Sequence, residues 1–552
     1  MSEGPYRAGR AREPAAPGRS AGLVDELIQQ FADPLAFYRE LVQNSIDAGA
    51  RAIAVTVSFE PDPSDASAGL ASVAVRDDGS GMSREVLEEQ LTVLFRSAKE
   101  KQEGKIGKFG VGFVSVLAVR PRLVIVRTSE GSGEQWTMHL AADQTYELFR
   151  AEGGGASGTT VTLQVPMARE AFDAFVEGSR RALERWCRHV QVPVRWVAHV
   201  LGASAPLSEA RIDRPLGLPD ALVSVEAEDG PTRIVAGLPK DAEPYLACFN
   251  RGLLLYESSL DHFGAVAVKI QDPRLEHTLS RDDVRRDACF ERAMRFARRV
   301  IDEELTAKVR ALAGELADRR RLEPPLDRLL AAADAARLDL PPSALRFPLL
   351  HPLGGVRAAP ASALSRSDCY VASQASPLTE ALAEAEGLVI DLSVAAAPEL
   401  YRSQLSALAG RTLTPPEATL TLATPVEPSG ADLAMLEALT RILAATVRAP
   451  SRPRLVELRG ALAGHVHYVT GEPGLLREDD ARRDPFRRIA RPSLLLDART
   501  PLSARARAVA ESEPLLAGAL LARAVLLDHG SLDEATDDGW LDASLAQLSG
   551  DA

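Results

Sequence analysis

Leu35, Tyr38, Leu41, Val42 and Ile46 recur at helical spacing within LVDELIQQFADPLAFYRELVQNSIDAGA, and this period predicts a helix. The period then changes. AIAVTVSF (52–59) and ASVAVRD (71–77) read as neighbouring strands, joined by the turn-rich PDPSDASAG. REVLEEQLTVLF returns to the helical period, with Ser83 as its N-cap. A glycine-rich stretch, GKFGVGF (107–113), precedes a short helix, VSVLAV, and three strands follow: RLVIVRT, EQWTMHL and TTVTLQV. Helix and strand patterns together predict one helix-and-sheet domain over 21–167.

Beyond it, PMAREAFDAFVEGSRRAL reads as a helix that opens a second α/β region running to about 300, followed by a helical connection. EPPLDR (323–328) and LDLPPSALRFP (338–348) punctuate the chain, and 349–425 reads as a smaller α/β unit. ATPVEPSGAD (423–432) reads as a linker. The remainder, 432–552, is expected to be mostly helical, with GHVHYVT and SLLLDA as isolated strands. The expected class is thus α/β (α+β): a helix-on-sheet sandwich, an α/β middle domain over 168–425 and a mostly helical C-terminal domain. Residues 1–20, rich in Arg, Pro, Gly and Ala, read as a disordered tail.

Composition narrows the function. A chain of 552 residues exceeds a single core, and about three or four domains is the prior. The formal net charge of −13 argues against broad nucleic-acid binding, which depends on Lys and Arg neutralising phosphates. Cys187, Cys248, Cys289 and Cys369 are far apart and form no C-x-x-C pair, which disfavours a zinc site or disulfide framework and fits a reducing cytoplasm. No apolar run approaches the ~18 residues of a membrane span, and the N-terminus has no apolar segment of the secretory kind.

Four short segments carry candidate chemistry. In ELVQNSIDAGA, Glu40, Asn44 and Asp47 stand at i, i+4 and i+7, on one helix face. A solvated polar stripe would give the same pattern. In DDGSGM, a strand ends at Asp77. Its carboxylate can accept a hydrogen bond from an exocyclic amine, Gly79 and Gly81 admit a base against the backbone, and Met82 offers a soft apolar wall. An ordinary turn would read alike. In GKIGKFGVGF, the order G-x-x-G-x-G reverses the dinucleotide fingerprint and lacks the Lys-Ser/Thr ending of a P-loop. Its glycines precede a helix, whose first amides favour anionic oxygens. In SGTTVTL, a Gly-Thr pair opens a strand. Each segment alone is weak; their order within about 120 residues is specific.

That order resembles the ATP-binding domain shared by type II topoisomerases, mismatch-repair proteins, histidine kinases and the heat-shock protein 90 chaperones. IGKFGVGFVSVLAV is most similar to the chaperone branch, which includes the bacterial HtpG proteins. VKIQDPRLEHTLSRDDV (268–284) resembles the middle-domain catalytic loop of those chaperones at Ser280, Arg281 and Asp282, and departs from it at Thr278 and Arg285. The resemblance implies an ATP hydrolase acting as a dimeric clamp on unfolded or partly folded clients. It implies Glu40 as general base and Arg281 as a γ-phosphate contact from the middle domain. Asn44 would hold Mg²⁺, and Asp77 with Thr159 would read adenine. Asp47, Gly79, Gly81 and Met82 would line the base, and Gly107, Gly110, Val111, Gly112 and Phe113 the phosphates. It also implies a C-terminal homodimer contact and a cytoplasmic location.

Two departures matter. Only AKEKQEGKI separates Ser97 from Gly107, a short and charged lid compared with the chaperones. A charged linker after the first domain is missing. Two alternatives remain open: a nucleotide-switched DNA-processing or defence protein of the mismatch-repair-like branch, and an ATP-binding scaffold with little turnover.

Overall fold

The computed structural model describes residues 7–8, 33–87, 112–131, 133–143, 145–151, 155–278, 283–319, 321–447, 451–481, 493–532, 535 and 537–539. It divides into two compact units, 1–305 with 335–337, and 306–334 with 338–552.

The first unit is built on a nine-stranded sheet. Its strands are β1 (Arg7–Ala8), β2 (Ile53–Asp62), β3 (Asp65–Asp77), β4 (Leu123–Ser129), β5 (Gln135–Ala141), β6 (Tyr146–Ala151), β7 (Gly158–Ala168), β8 (Val194–Val200) and β9 (Ser208–Arg211), in the order β1-β6-β5-β4-β7-β3-β2-β8-β9. Alternation along β2 turns Ile53, Val55, Val57 and Phe59 inward. Two helices, α1 (Phe37–Asp47) and α2 (Arg169–Cys187), supply the facing layer. Phe37, Tyr38, Leu41 and Val42 of α1 and Phe172, Leu183 and Trp186 of α2 share one core with the sheet. A buried hydrogen bond of 2.6 Å between the Tyr38 and Ser179 hydroxyls fastens α1 to α2. Burial pushes the Tyr38 phenol well above its ordinary pKa, so it stays neutral.

The sheet does not stop near residue 167. After α2 the chain returns as β8, which pairs in parallel with β2 from Ile53↔Val194 to Phe59↔Val200. Strand β2 would otherwise be an edge with an unpaired row of backbone groups. Within the stretch read as a tail, Arg7 and Ala8 pair with Phe149 and Leu148 of β6. The helix expected over VSVLAV is a five-residue 3₁₀ turn, Phe113–Leu117. Arg120, at φ 52°, and Pro121 end it at once.

A second sheet in the same unit comprises β10 (Ala221–Asp229), β11 (Thr232–Pro239), β12 (Tyr245–Asn250), β13 (Leu253–Ser258) and β14 (Ala267–Gln271), ordered β10-β11-β14-β12-β13. Phe249, Leu253 and Leu254 join the core of the first sheet, so the two regions are packed as one body. Helix α3 (Ala288–Arg299) follows, capped by Asp287.

The second unit holds two sheets. The first contains β15 (Arg346–Leu353), β16 (Val356–Pro360), β17 (Cys369–Ala372) and β18 (Leu388–Asp391). The second contains β19 (Leu420–Pro425), β20 (Ser451–Gly460), β21 (Tyr468–Thr470), β22 (Gly474–Arg477) and β23 (Ser493–Asp497), ordered β21-β23-β20-β19-β22. The expected linker at 423–432 is therefore partly strand: β19 runs through Pro425 and belongs to the last sheet. Helices α4 (Gly430–Thr446), α5 (Pro501–Ala510) and α6 (Pro514–Asp528) are the longer helices among the described residues of the C-terminal region. A capping box between Ser429 and Asp432 starts α4, and Arg507 of α5 closes on Asp432 through two bonds of 2.9 and 3.0 Å. Among the described residues no helix is long and apolar enough to cross a membrane.

Candidate nucleotide site

Helix α1 and the end of β3 bring the first two segments together. The Asp77 carboxylate is held from three directions. Oδ1 accepts the backbone N–H of Gly79 at 2.9 Å and of Thr159 at 3.2 Å. Oδ2 accepts the Ser45 hydroxyl at 3.0 Å. An ionised carboxylate offers about four acceptor positions, so three donors fix its orientation and leave room for one more. Ser45 Oγ also lies 3.0 Å from the Leu41 carbonyl, so its single hydroxyl proton is shared between that carbonyl and Asp77.

The glycines around Asp77 are needed for close approach. Gly81 has φ 71°, and a Cβ there would run into the Ser129 carbonyl. Gly158 has φ 139°, and a Cβ there would run into the Asp77 carbonyl. Gly79 lies against Ala48, at 2.9 Å from where its Cβ would stand. The neighbouring Asp78 does different work. It accepts the N–H groups of Arg51 and Ala52 at 2.6 and 2.9 Å, and these bonds lower its pKa.

Met82 packs on the core, and its N–H donates to the Thr128 hydroxyl at 2.8 Å. That hydroxyl also shares a 3.0 Å bond with Thr159. Ser45 and Thr128 were missed by the sequence reading. Ser45 sits beside Asn44 on the same helix, whereas Thr128 lies at the end of an ordinary strand and carries no local signal.

Glu40 is 3% exposed, and its Oε1 accepts Nη2–H of Arg39, also buried, at 3.3 Å. One turn on, Asn44 is exposed, and among the described residues its carboxamide makes no hydrogen bond. The exposed carboxamide oxygen of Asn44 is a hard donor of the kind Mg²⁺ takes together with water and phosphate oxygens. Asp47 is engaged elsewhere, by Arg251 at 2.8 Å. Gly112 and Phe113 are buried, and the Gly112 carbonyl accepts the Ser115 hydroxyl at 2.6 Å. Gly107, Gly110, Val111, the short lid, Ser280, Arg281 and Asp282 lie outside the described residues. The flanks of the Arg281 loop are anchored: Thr278 N–H donates to the Asp283 carbonyl at 2.9 Å, and Arg285 N–H to that of Glu276 at 2.8 Å.

Comparison with known proteins points the same way. Residues 38–149 match the family described as histidine kinase-, DNA gyrase B-, and HSP90-like ATPase. A chaperone protein HtpG of Methylorubrum extorquens is 29% identical over 203 residues, 32% of each chain. HtpG of Methylorubrum populi is 30% identical over the same shares, and an endoplasmin homolog of Leishmania donovani is 27% identical over 31% of this chain and 26% of its own. The chain thus spans about a third or less of the length of these curated relatives.

Proposed function

We propose that this chain, whose residues 38–149 are a histidine kinase-, DNA gyrase B- and HSP90-like ATPase domain, is an ATP-dependent molecular chaperone of the heat-shock protein 90 type. The observation that carries the reading is the Asp77 carboxylate, held by Ser45, Gly79 and Thr159 with acceptor capacity to spare. That spare capacity suits the exocyclic amine of adenine. Gly79, Gly81 and Met82 form the wall beside it, and Thr159 supports the polar edge. Glu40 would orient and deprotonate the attacking water, a role contributing roughly 10²- to 10⁴-fold. Asn44 would hold Mg²⁺, whose contribution when bound is to neutralise phosphate charge. Backbone amides at Gly107, Gly110, Val111 and Gly112 would meet phosphate oxygens, and Phe113 is part of the core. Arg281 would approach the γ-phosphate.

The client-binding and dimeric-clamp parts of the reading rest on the HtpG and endoplasmin relatives and on helix α6. Helix α6 is apolar on nearly every side, and Leu520 and Leu527 remain 43% and 44% exposed. A helix apolar all round is one that expects burial, and a second copy would provide it. A cytoplasmic location suits the four free cysteines. A second reading, an ATP-binding scaffold with little turnover, is favoured by the Arg39 contact on Glu40.

One experiment separates these readings: ATP turnover of wild type and Glu40→Ala, with ATP affinity and oligomer mass measured alongside. The chaperone reading expects wild-type turnover, retained affinity in Glu40→Ala and turnover at least 10²-fold lower. Asp77→Asn loses ATP affinity, and Arg281→Ala lowers kcat more than affinity. Undiminished turnover in Glu40→Ala would remove the general-base assignment, and wild type that binds ATP without turnover would favour the scaffold.

A further inference from the structure

We propose that the cavity where the end of α2 meets β12, β13 and β14 is a binding site for a small oxyanion of the phosphate class. This site is separate from the Asp77 site, and the proposal does not depend on the ATPase reading. The cavity is about 220 Å³ and is lined by Arg185, Arg188, His189, Tyr245, Glu257 and Lys269, among others.

The argument begins with Lys269. It lies in β14, between the apolar Val268 and Ile270, in a strand flanked by β11 and β12. Its residue is only 7% exposed. Nζ donates to the Gly217 carbonyl at 2.9 Å and lies 3.0 Å from Nε2 of His189. The other ring nitrogen of His189, Nδ1, is 3.1 Å from the Arg214 carbonyl, which can only accept. Nδ1 therefore carries the proton, and Nε2 offers its lone pair to the ammonium. Burial and the Lys269 charge lower the His189 pKa to about 4, consistent with this neutral ring. Both Lys269 contacts are thus neutral. A buried ammonium with no anionic partner is costly, and a ligand can supply that partner.

The carboxylates of the cavity are already engaged. Glu257 accepts Nε of Arg185 at 2.8 Å and the Tyr245 hydroxyl at 3.3 Å. Glu184 accepts Nη1 of Arg180 at 2.7 Å. Arg188 is exposed, and among the described residues its guanidinium has no hydrogen-bonding or ion-pair partner. Burial, together with the charge of Arg188, lowers the Lys269 pKa to about 8, so at neutral pH its ammonium is predominantly protonated. Arginines in a last helical turn have a general explanation in the helix dipole. A lysine buried in a strand of another sheet has none. Two cations without counter-charge, converging on a cavity of this size, match the multiple acceptors and charge of a phosphate.

The test is calorimetric titration of the full chain with inorganic phosphate, with succinate and chloride at matched ionic strength as the other arms. Wild type is expected to bind phosphate saturably and chloride not at all. Arg188→Gln, on an exposed side chain, should weaken phosphate binding by about tenfold or more. Lys269→Met should abolish it, with circular dichroism reporting whether the chain stays folded. A phosphate response equal to that of chloride, or undiminished affinity in Arg188→Gln, would overturn the proposal. Saturable binding of succinate in place of phosphate would overturn the ligand class.

Discussion

The guanidinium of Arg251 donates to the Asp47 carboxylate across 2.8 Å, joining the hairpin between β12 and β13 to the end of α1. Arg251 holds φ 48° and Gly252 φ 84°, so the turn is a two-residue one in the left-handed region. Gly252 is required, because a Cβ there would run into the His189 backbone. Arg251 is not the residue such a turn prefers. Both partners are substantially exposed, at 58% and 39%, so the pair is expected to be weak. A double-mutant cycle of Arg251→Ala and Asp47→Asn in urea should return a coupling of about 0.2–1 kcal/mol. Arg251→Gly should destabilise less than Arg251→Ala, because glycine relieves the left-handed strain.

Ser45 is expected to act on nucleotide affinity through Asp77. Ser45→Ala removes one of three donors to that carboxylate and leaves the helix intact. ATP affinity should fall by about 0.5–1.5 kcal/mol, or roughly 2- to 13-fold, with kcat little changed. A titration with a non-hydrolysable ATP analogue measures it.

Gly158 couples backbone shape to the same carboxylate. Gly158→Ala places a Cβ against the Asp77 carbonyl at φ 139°. Stability should fall by about 1–3 kcal/mol in urea unfolding, and ATP affinity should fall with it.

Asp272, fully buried, gives the fold an acid dependence. Burial would raise its carboxyl, but hydrogen bonds from Arg274 and Thr232 hold it at about 2, below the usual carboxylate value. Its contribution is therefore present above the unfolded value near 4 and is lost as pH falls through about 2. Arg274 is 42% exposed, so solvent screening reduces the effect to roughly 1–2 kcal/mol. Urea midpoints between pH 5 and pH 2 should fall more steeply for wild type than for Asp272→Asn.

Gly518 sets the approach of α6 to α4. A Cβ there would stand 2.7 Å from the Ala438 Cβ and 2.8 Å from the Leu439 nitrogen. Gly518→Ala should cost about 1–3 kcal/mol and lower the Tm of the second unit, as read by calorimetry.

The alternating residues of β2 and the helical spacing of α1 were legible because each element's buried face repeats within a few residues. The helix that carries Glu40 and Asn44 and the strand that ends at Asp77 were legible for a related reason: each is a local feature. The sequence could not reveal that Asp47 would be claimed by Arg251, some two hundred positions away. Nor could it place Thr128 against both Met82 and Thr159, since a threonine at a strand end looks like any other.

By itself, the sequence determined α1, the strand pair β2 and β3, and the carboxylate–glycine turn at Asp77. Only the tertiary structure decided that β8 would close the open edge of β2, that Ser45 would reach Asp77, and that Lys269 would be buried against His189. Local patterns record what a segment buries and where it turns. They do not record which distant segment will satisfy its remaining donors and acceptors, because that is settled by the packing of the whole core.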